Sequence, residues 1–397
     1  MHRLPNISRE LGTNVWIKRD DLCGVALGGN KVRKLEYLLH DAKSKGYDLV
    51  MTTGQAQSNH AMLTAACALR LGLDCILLLK KRGVTQRKGN QILNHLMGVE
   101  VRYMDTDSYE DIYAEMDRIG EELGRKVGAD VLIATDPDSD RMAVEVSDGK
   151  GGYIPLNGNQ TGALLIAYMA RSMYEKGTLP QKAAMIKSIV TGNFGRRICE
   201  HFGIKVFDAL TGFKNICGVI PKAEDMGYTY FFGYEESIGC APGVEIRDKD
   251  GICASMLIME LAAWCRKNGM TLLQYLDSLY KKYGYYAEDQ VSLVLKGIEG
   301  AERIGRIMDV FRGNKPGKFG RFVVDKCTDY IDGYKDVPAS NVLIYKMTDG
   351  NWFAMRPSGT EPKIKFYFYA KSDNMNESQE LVKDMRTAVG EIVNSIE

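Results

Sequence analysis

The sequence has no bias toward either sign of charge and no long apolar run. Lys and Arg total 52, while Asp and Glu total 51. Strongly basic surfaces are typical of proteins that bind nucleic acid or membranes, so we expect neither kind of partner. No apolar stretch approaches the length that crosses a bilayer, and the first residues contain no apolar signal-peptide core. These absences predict a cytoplasmic protein, and they leave its oligomeric state open.

Paired cysteines are also missing. The nine cysteines include no Cys-X-X-Cys pair, so neither a zinc knuckle nor a disulfide framework is indicated. We expect reduced thiols, as in a cytoplasm. What is present is ordinary for a globular protein, with 45% hydrophobic and 26% charged residues. The chain is long enough for roughly two to four domains.

Apolar spacing alternates between two periods along the first third of the chain. Helices are predicted at 32–46, 60–71, 86–97 and 109–124, and strands at 49–53, 75–79, 99–104 and 131–135. Such alternation is typical of α/β proteins, and we expect the four strands to form one parallel sheet.

The pattern restarts after a glycine-rich break at 149–152. Further helices are predicted at 158–173, 195–202, 252–268 and 376–396, and further strands at 188–191 and 363–369. The predicted fold class is therefore multidomain α/β, with parallel or mixed sheets and flanking helices, plus a C-terminal α+β domain.

Three carboxylates alternate directly after the apolar run at 131–134. They are Asp136, Asp138 and Asp140. Close like charges cost energy unless a cation or solvent neutralises them, so the spacing predicts a cage for a hard divalent cation. Arg141 beside them would hold a second anion, most simply a phosphate. A solvated acidic turn is the open alternative. An EF-hand is excluded, because its sixth position needs glycine and is Arg141 here.

A second motif, Arg-Pro-Ser-Gly-Thr-Glu-Pro, occupies 356–362. Its glycine turn exposes backbone N–H groups, its hydroxyls add donors, and Arg356 supplies a bidentate fork. The combination indicates a phosphate-binding loop, although a turn of this composition taken alone is more often a simple hairpin.

Weaker signals lie between these two motifs. The segment Glu235-Glu236-Ser237 follows an aromatic strand, and carboxylates with a hydroxyl suit the paired hydroxyls of a sugar. Surface glutamates are the alternative. The segments 211–214 and 247–250 are equally compatible with polar turns.

In this order and spacing, the five segments resemble the phosphohexomutase superfamily, specifically its phosphoglucomutases and phosphomannomutases, over about 124–397. The resemblance implies Mg²⁺ on the three aspartates, catalytic roles for Arg141 and Lys214, and a hexose phosphate substrate. It also implies that substrate is held by Glu235, Glu236, Ser237, Lys249, Arg356, Ser358, Gly359 and Thr360. The chemistry would be intramolecular phosphoryl transfer through a bisphosphate intermediate.

One departure from that family is large. These mutases carry a Thr-Ala-Ser-His-Asn-Pro loop whose phosphoserine donates the phosphoryl group, and no such motif occurs in the 397 residues. We therefore expect the mutase activity to be impaired, because positioning does not replace a covalent carrier.

The N-terminal segments Gly-Gly-Asn-Lys-Val-Arg-Lys-Leu-Glu-Tyr at 28–37 and Gln-Ser-Asn-His at 57–60 point elsewhere. They resemble the pyridoxal-phosphate-dependent D-cysteine desulfhydrases and aminocyclopropane-carboxylate deaminases over about 1–124. The resemblance implies a Schiff base on Lys31 and a cofactor phosphate near Lys34. It implies that the amino-acid carboxylate is held by Ser58, Asn59 and His60.

The glycine-rich cup for the cofactor phosphate has no counterpart in this sequence. We expect the acidic loop to occupy its place in the shared sheet. Because carboxylates repel phosphate, pyridoxal phosphate should bind weakly or not at all.

These resemblances predict a fusion near 120–130. The predicted domains are 1–123, a truncated pyridoxal-enzyme segment; 124–150, the end of mutase domain 2 with the metal loop, in a hybrid sheet with 47–123; 151–280, the sugar-binding mutase domain 3; and 281–397, the phosphate-binding α+β domain 4. The favoured function is a phosphohexomutase impaired by the missing phosphoserine domain. Two alternatives stay open, namely a non-catalytic phosphosugar-binding remnant and a pyridoxal-dependent amino-acid deaminase or desulfhydrase.

Overall fold

In the computed structural model the chain forms two compact units, Met1–Lys126 and Val127–Glu397. The structure describes residues 2–10, 12–17, 19–81, 88–106, 108–136, 138–243, 246–295, 297–359 and 362–396. Within these residues, no helix combines the length and the apolar character needed to cross a membrane.

The N-terminal unit contains a three-stranded parallel sheet flanked by helices. Its elements are β1 (His2–Arg3), α1 (Pro5–Glu10), β2 (Trp16–Ile17), a 3-10 turn (Asp20–Leu22), α2 (Lys31–Ser44), β3 (Leu49–Gln55), α3 (Asn59–Leu71), β4 (Asp74–Lys80), α4 (Asn90–Leu96), β5 (Glu100–Met104) and α5 (Tyr109–Val127). The strand order is β3-β4-β5, and β1 and β2 form a separate antiparallel pair.

The central strand β4 shows why this sheet is covered on both faces. Six of its seven residues are buried, as expected for the middle strand of a parallel sheet. Leu77 and Leu79 point toward the core that includes α2 and α3. Ile76 and Leu78 point to the opposite face, where they pack with Ile112 of α5.

The C-terminal unit contains three sheets. Its elements are β6 (Val131–Thr135), β7 (Met142–Ser147), β8 (Tyr153–Leu156), α6 (Gly158–Glu175), β9 (Ala183–Ser188), α7 (Phe194–His201), β10 (Lys205–Ala209), α8 (Phe213–Gly218), α9 (Ile220–Asp225), β11 (Thr229–Glu235), β12 (Gly239–Pro242), α10 (Gly251–Lys267), α11 (Leu272–Tyr283), β13 (Tyr285–Val294), α12 (Gly297–Asn314), β14 (Lys318–Phe319), β15 (Phe322–Asp329), β16 (Leu343–Met347), β17 (Trp352–Pro357), β18 (Lys363–Ser372) and α13 (Met375–Asn394).

Two of these sheets form the body of the unit. In the middle sheet, of order β10-β9-β11-β12, the first three strands are parallel and β12 is antiparallel to β11. The last sheet, of order β13-β18-β17-β16-β15-β14, is antiparallel. One of its faces packs on α12 and α13, and the other packs on Ile189 and Val190 at the end of β9. The predicted fold class is confirmed.

The prediction of one parallel sheet through the fusion region was wrong. Strand β6 does not extend the sheet of β3, β4 and β5, because it pairs antiparallel with β7, which in turn pairs with β8. In β7 the buried residues Met142, Val144 and Val146 alternate with more exposed ones. Such alternation is typical of an antiparallel sheet with one solvated face. The hairpin that contains the acidic loop places β6 beside β7 as its antiparallel neighbour.

The predicted strand at 188–191 was also misplaced. The strand is the preceding run, Ala183–Ser188, whose six residues are all buried. Residues 189–191 leave the sheet, and the Thr191 N–H closes a turn on the Ser188 carbonyl at 3.1 Å. The predicted helix at 86–97 is seen as Asn90–Leu96, and 82–87 lie outside the described residues.

Candidate functional site

The acidic loop between β6 and β7 gathers its three carboxylates. One oxygen each of Asp136, Asp138 and Asp140 lies within 4.8 Å of the other two. Two cations of the chain already contact this group. Arg141 donates its backbone N–H and its Nε to Asp136, at 3.1 and 2.8 Å, and Lys249 Nζ lies 2.8 Å from Asp140 Oδ2. Burial alone would raise the pKa of Asp136, but the donors of Arg141 hold that pKa below its ordinary value.

This set of donors fits a hard divalent cation. Three carboxylates with one ligand atom each are hard oxygen donors, which Mg²⁺ and Ca²⁺ prefer. The two neighbouring cations leave a net charge of about −1 on the cluster of five groups, which still favours a dication. The residues present therefore suit the metal that the family resemblance implies.

The first turn of α10 braces the acidic loop. The Gly251 N–H donates to the Ser139 carbonyl at 3.2 Å, and Ser139 has a left-handed φ of 59°. A Cβ on Gly251 would lie 2.8 Å from the carbonyl oxygens of Ser139 and Arg141, so only glycine permits this approach. Asp250 caps the helix by accepting from the N–H groups of Ile252 and Cys253. The loop is thus fixed by a rigid element from another part of the unit.

Lys249 connects the acidic loop to the sugar-binding segment predicted at 235–237. Its amine pairs with Asp140, and Glu235 is close enough to contribute to its electrostatic environment. Glu235 is only 7% exposed, and its Oε2 accepts from the Gly212 N–H at 3.2 Å. Burial, and then the charge of Glu236, raise the pKa of Glu235. Ser237 also hydrogen-bonds the Glu235 side chain.

Two buried hydroxyls hold the carboxylate of Glu236. Its Oε2 accepts from Thr191 Oγ1 at 2.8 Å and from Ser188 Oγ at 3.2 Å. The carbonyl of Glu236 also lies against the start of α6, where a Cβ on Gly158 would approach it to 2.2 Å. Glycine at the first residue of α6 therefore lets the helix approach this loop.

The predicted phosphate loop lies near the same carboxylates. Burial, and then Lys363 and Arg356, lower the pKa of Lys365, while Glu236 and Glu235 act in the opposite direction. Arg356 Nε is buried and has no acceptor among the described residues. Burial raises the pKa of Tyr367, and nearby Arg356 acts in the opposite direction. The basic residues of the C-terminal sheet and the acidic sugar segment thus lie close enough to influence one another electrostatically.

The remaining predicted residues have different surroundings. The Ser358 N–H donates to the Lys363 carbonyl at 2.7 Å, which closes the hairpin, and Gly359 is exposed at its tip. Thr360 lies outside the described residues. Lys214 is exposed in the first turn of α8, two residues after Gly212.

Lys187, a buried cation beside this site, was not predicted from the sequence. Lys187 is 2% exposed, and its Nζ lies 3.5 Å from Asp208, which also pairs with Arg196 at 2.6 Å. Burial lowers the pKa of Lys187 to about 8. A lysine at the end of an otherwise apolar strand, Ala-Ala-Met-Ile-Lys-Ser, was the available signal, since such a residue is rarely buried without partners.

A second missed group is Glu288 of β13. Burial raises the pKa of Glu288 to about 7, although hydrogen bonds from Asn157 and Asn159 act in the opposite direction. Its strand position opposite Tyr369 places it among aromatic side chains. Nothing in the local sequence distinguishes this residue from an exposed strand glutamate.

The stability of the protein should depend on this carboxyl. Because the folded-state pKa lies above the unfolded value, the native state binds more protons between about pH 4.5 and 7, and stability falls as the pH rises through that window. The loss is at most about 3 kcal/mol, since the residue retains some exposed surface. Glu288→Gln should flatten this fall and raise stability at pH 8.

Urea unfolding at pH 5 and pH 8 measures the effect. Glu380→Gln, an exposed glutamate of α13, is the matched control and should keep the wild-type pH dependence. A Glu288→Gln variant with the same pH dependence as wild type would contradict the prediction.

In the N-terminal unit, the two predicted motifs lie close together. Burial, and then Lys34 and Lys31, lower the pKa of His60 to about 4. Ser58 caps α3 by accepting from the Ala61 N–H at 3.1 Å. Asn59 Oδ1 accepts from the side-chain amide of Asn90 at 2.7 Å. The motif residues are thus neighbours, and two of them also support α3 and α4.

These residues fit pyridoxal phosphate only in part. The cluster of cations suits an anion, but β4 and β5 are not followed by a pair of adjacent glycines that would expose backbone donors to the cofactor phosphate. The predicted substitute, the acidic loop, belongs to the hairpin of β6 and β7. That expectation rested on β6 joining the sheet of β3, β4 and β5, and this pairing was wrong.

Comparison with known families also finds two different kinds of sequence in the chain, with a boundary about twenty residues after that between the two units. Residues 1–148 match the pyridoxal-phosphate-dependent enzyme family. Residues 157–283 match the α/β/α domain III of phosphoglucomutase/phosphomannomutase, and residues 323–386 match the C-terminal domain of the same family.

Individual relatives support the second assignment. A phosphoglucomutase of Staphylococcus haemolyticus is 34% identical over 260 residues, which are 63% of this chain and 46% of that protein. A phosphoglucomutase of Staphylococcus aureus is 34% identical over 275 residues, or 66% and 49% of the two chains. This chain spans about half the length of the curated relatives it matches.

A solved structure shares the fold. The exocytosis-sensitive phosphoprotein parafusin, a phosphoglucomutase of Paramecium in its open form, superposes with a TM-score of 0.55 at 18% identity, covering 91% of this chain and 61% of that one. The mutase matches include the segment at 235–237 and the loop at 356–359, whereas the acidic loop at 136–141 lies within the residues matched by the pyridoxal-phosphate-dependent family. The chain therefore combines an N-terminal segment that matches the pyridoxal-phosphate-dependent enzyme family with two domains that match the phosphoglucomutase/phosphomannomutase family.

Proposed function

We propose that the C-terminal unit binds a hexose phosphate together with Mg²⁺, as the sugar- and metal-binding part of a phosphohexomutase. The observation that supports this most is a series of neighbouring charged groups. It begins with the 2.8 Å ion pair of Asp140 and Lys249 and continues, through groups close enough to shift one another's pKa, to Glu235, Glu236, Lys365 and Arg356. One ligand with a phosphate at one end and hydroxyls at the other matches this order of charges.

The phosphate would bind at the loop that begins with Arg356. Two lysines, Lys363 and Lys365, lie near its guanidinium, and their mutual repulsion contributes to the lowered pKa of Lys365. An anion relieves that repulsion. Arg356 Nε, buried without an acceptor among the described residues, would gain a partner, and an unpaired buried donor otherwise costs about 1–3 kcal/mol.

The sugar hydroxyls would bind Glu235 and Glu236. A carboxylate accepts hydrogen bonds from two neighbouring hydroxyls, and burial of Glu235 makes such bonds stronger than in water. Lys249 stands between these carboxylates and Asp140, so it can shift from the metal loop toward the substrate. Mg²⁺ at the acidic loop would stabilise negative charge on a phosphoryl group.

Catalytic turnover needs a group that carries the phosphoryl, in addition to these binding residues. Moving a phosphoryl group between two positions of a hexose requires a group that gives it and takes it back, and the Thr-Ala-Ser-His-Asn-Pro loop that does this in the family is not among these 397 residues. We therefore propose binding of substrate and metal as the function of this polypeptide by itself.

Substitution of Arg356 tests the phosphate site. Arg356→Lys keeps the charge but loses the bidentate fork, so glucose 6-phosphate should bind about five- to tenfold more weakly. Isothermal titration calorimetry with Mg²⁺ present measures the change.

Arg321→Lys provides the matched control, because Arg321 is an exposed arginine paired with Asp384 in the same unit. It should bind glucose 6-phosphate as the wild type does. If Arg356→Lys and wild type also bind alike, the assignment of the phosphate loop is wrong.

A further inference from the structure

We infer that Ser188 and Thr191 are positioning residues that orient Glu236 toward the hydroxyls of the bound sugar. This inference rests on the proposed function, which assigns Glu236 to the sugar. Both residues are fully buried, so neither touches a ligand on the surface. They act on substrate only through the carboxylate that they hold.

The two hydroxyls converge on one oxygen of the carboxylate. Thr191 Oγ1 lies 2.8 Å and Ser188 Oγ 3.2 Å from Glu236 Oε2, and the two hydroxyl oxygens lie 2.8 Å from each other. Within the part of the chain that the structure describes, no donor reaches the other oxygen, Oε1. One oxygen is therefore fixed by the protein and the other is left to accept from a sugar hydroxyl.

The turn that carries the hydroxyls is itself fixed by a buried cation. Lys187 Nζ donates to the carbonyls of Ser188 and Thr191, at 3.1 and 2.8 Å. Backbone carbonyls of a tight turn seldom have a charged donor inside the protein, and a charge-assisted hydrogen bond is about twice as strong as a neutral one. Asp208, 3.5 Å from the amine, supplies the counter-charge.

Other contacts hold the same turn from its outer side. The hydroxyl of Tyr369 donates to the Val190 carbonyl, and the Gly192 N–H donates to Asn159 Oδ1 at 2.9 Å. The Ile189 N–H donates to the Ala209 carbonyl at 2.8 Å. The two accepting carbonyls belong to Val190 of the turn and to Ala209 at the end of the neighbouring strand β10. The turn is thus a rigid support for the two hydroxyls.

The two anchors fix the direction in which the Glu236 carboxylate can accept a hydrogen bond from the sugar. A carboxylate on a free side chain rotates among several orientations, whereas one with Oε2 anchored at two points presents Oε1 along a single direction. Loss of one anchor should weaken contacts to the sugar ring and leave the phosphate site unchanged, because among the described residues no hydrogen bond joins Arg356 to this turn.

Two probes separate these effects. Glucose 1-phosphate carries both ring hydroxyls and phosphate, while methyl phosphate carries phosphate and no sugar hydroxyl. Thr191→Val, which keeps the shape and loses the hydroxyl, should bind glucose 1-phosphate about tenfold more weakly and methyl phosphate as the wild type does. Thr191→Ser, which keeps the hydroxyl, should restore glucose 1-phosphate binding.

A ligand-free measurement tests the contact itself. Thr191→Val should lower the Tm more in the wild-type background than in Glu236→Ala, because only the former has a carboxylate to lose its donor. Equal Tm losses in both backgrounds would overturn the inference, and so would equal weakening of both ligands in Thr191→Val, which would indicate a general structural role.

The inference and the proposed function can fail separately. If wild type binds glucose 1-phosphate no better than methyl phosphate, the ring hydroxyls make no contact with Glu236 and the inference is wrong, while the phosphate site stands. If wild type binds neither compound, the proposed function is wrong.

Discussion

Purified polypeptide should convert no measurable glucose 1-phosphate to glucose 6-phosphate, even with Mg²⁺ and a trace of glucose 1,6-bisphosphate. The 397 residues contain no phosphoserine loop of the mutase type. Loss of the nucleophile in a serine protease lowers kcat about a million-fold, and metal and cationic groups that remain in place cannot supply the missing covalent step. A coupled assay with glucose 6-phosphate dehydrogenase measures the rate.

Contamination is the main source of a false positive in this assay. Asp136→Ala, purified in the same way, shows the background rate, because Asp136 belongs to the acidic loop. Robust turnover in the wild type that disappears in Asp136→Ala would contradict the prediction and would indicate a substitute nucleophile within the described site.

Asp138→Ala should reduce Mg²⁺ affinity by about a hundredfold or more. Asp136 and Asp140 are paired with Arg141 and Lys249, so Asp138 contributes the charge that these two cations do not neutralise directly. Removal of one of three carboxylate ligands also leaves too few oxygen donors to displace water from a strongly hydrated ion. Calorimetric titration with MgCl₂ measures the affinity.

Asp332→Ala serves as the control for charge alone. Asp332 is an exposed aspartate between β15 and β16, and its removal changes the net charge by the same amount. It should leave Mg²⁺ binding unchanged. Equal affinity in Asp138→Ala and Asp332→Ala would show that the acidic loop is an ordinary solvated turn.

Local patterns predicted most of the elements, and long-range pairing accounts for the main errors. The helix at 158–173 and the strand at 363–369 follow from apolar spacing and were seen with small changes in their ends. The predicted partner of β6 was wrong because the short apolar run at 131–134 contains no information on which strand lies beside it. The alternation in β7, buried at Met142, Val144 and Val146, was the clue to an antiparallel hairpin.

The site residues show the same difference between what local sequence predicts and what depends on distant segments. Residues with a recognisable chemical motif, such as Asp136 and Arg356, could be predicted as candidates from the sequence alone. Glu288 could not be predicted, because its raised pKa comes from burial by segments far away in the chain. Desolvation is a property of the assembled fold, and single positions in a sequence do not reveal it.

The hydrogen bond from Tyr369 to the Val190 carbonyl has a consequence for the entropy of binding. Tyr369 belongs to the C-terminal sheet, and Val190 belongs to the turn that follows β9 in the middle sheet. Trp352 stacks on the Tyr369 ring at 4.2 Å and limits its rotation. The two sheets are therefore already joined beside the site before any ligand arrives. A ligand that spans both sheets would find them in place, and its affinity would be reduced little by the ordering of flexible parts.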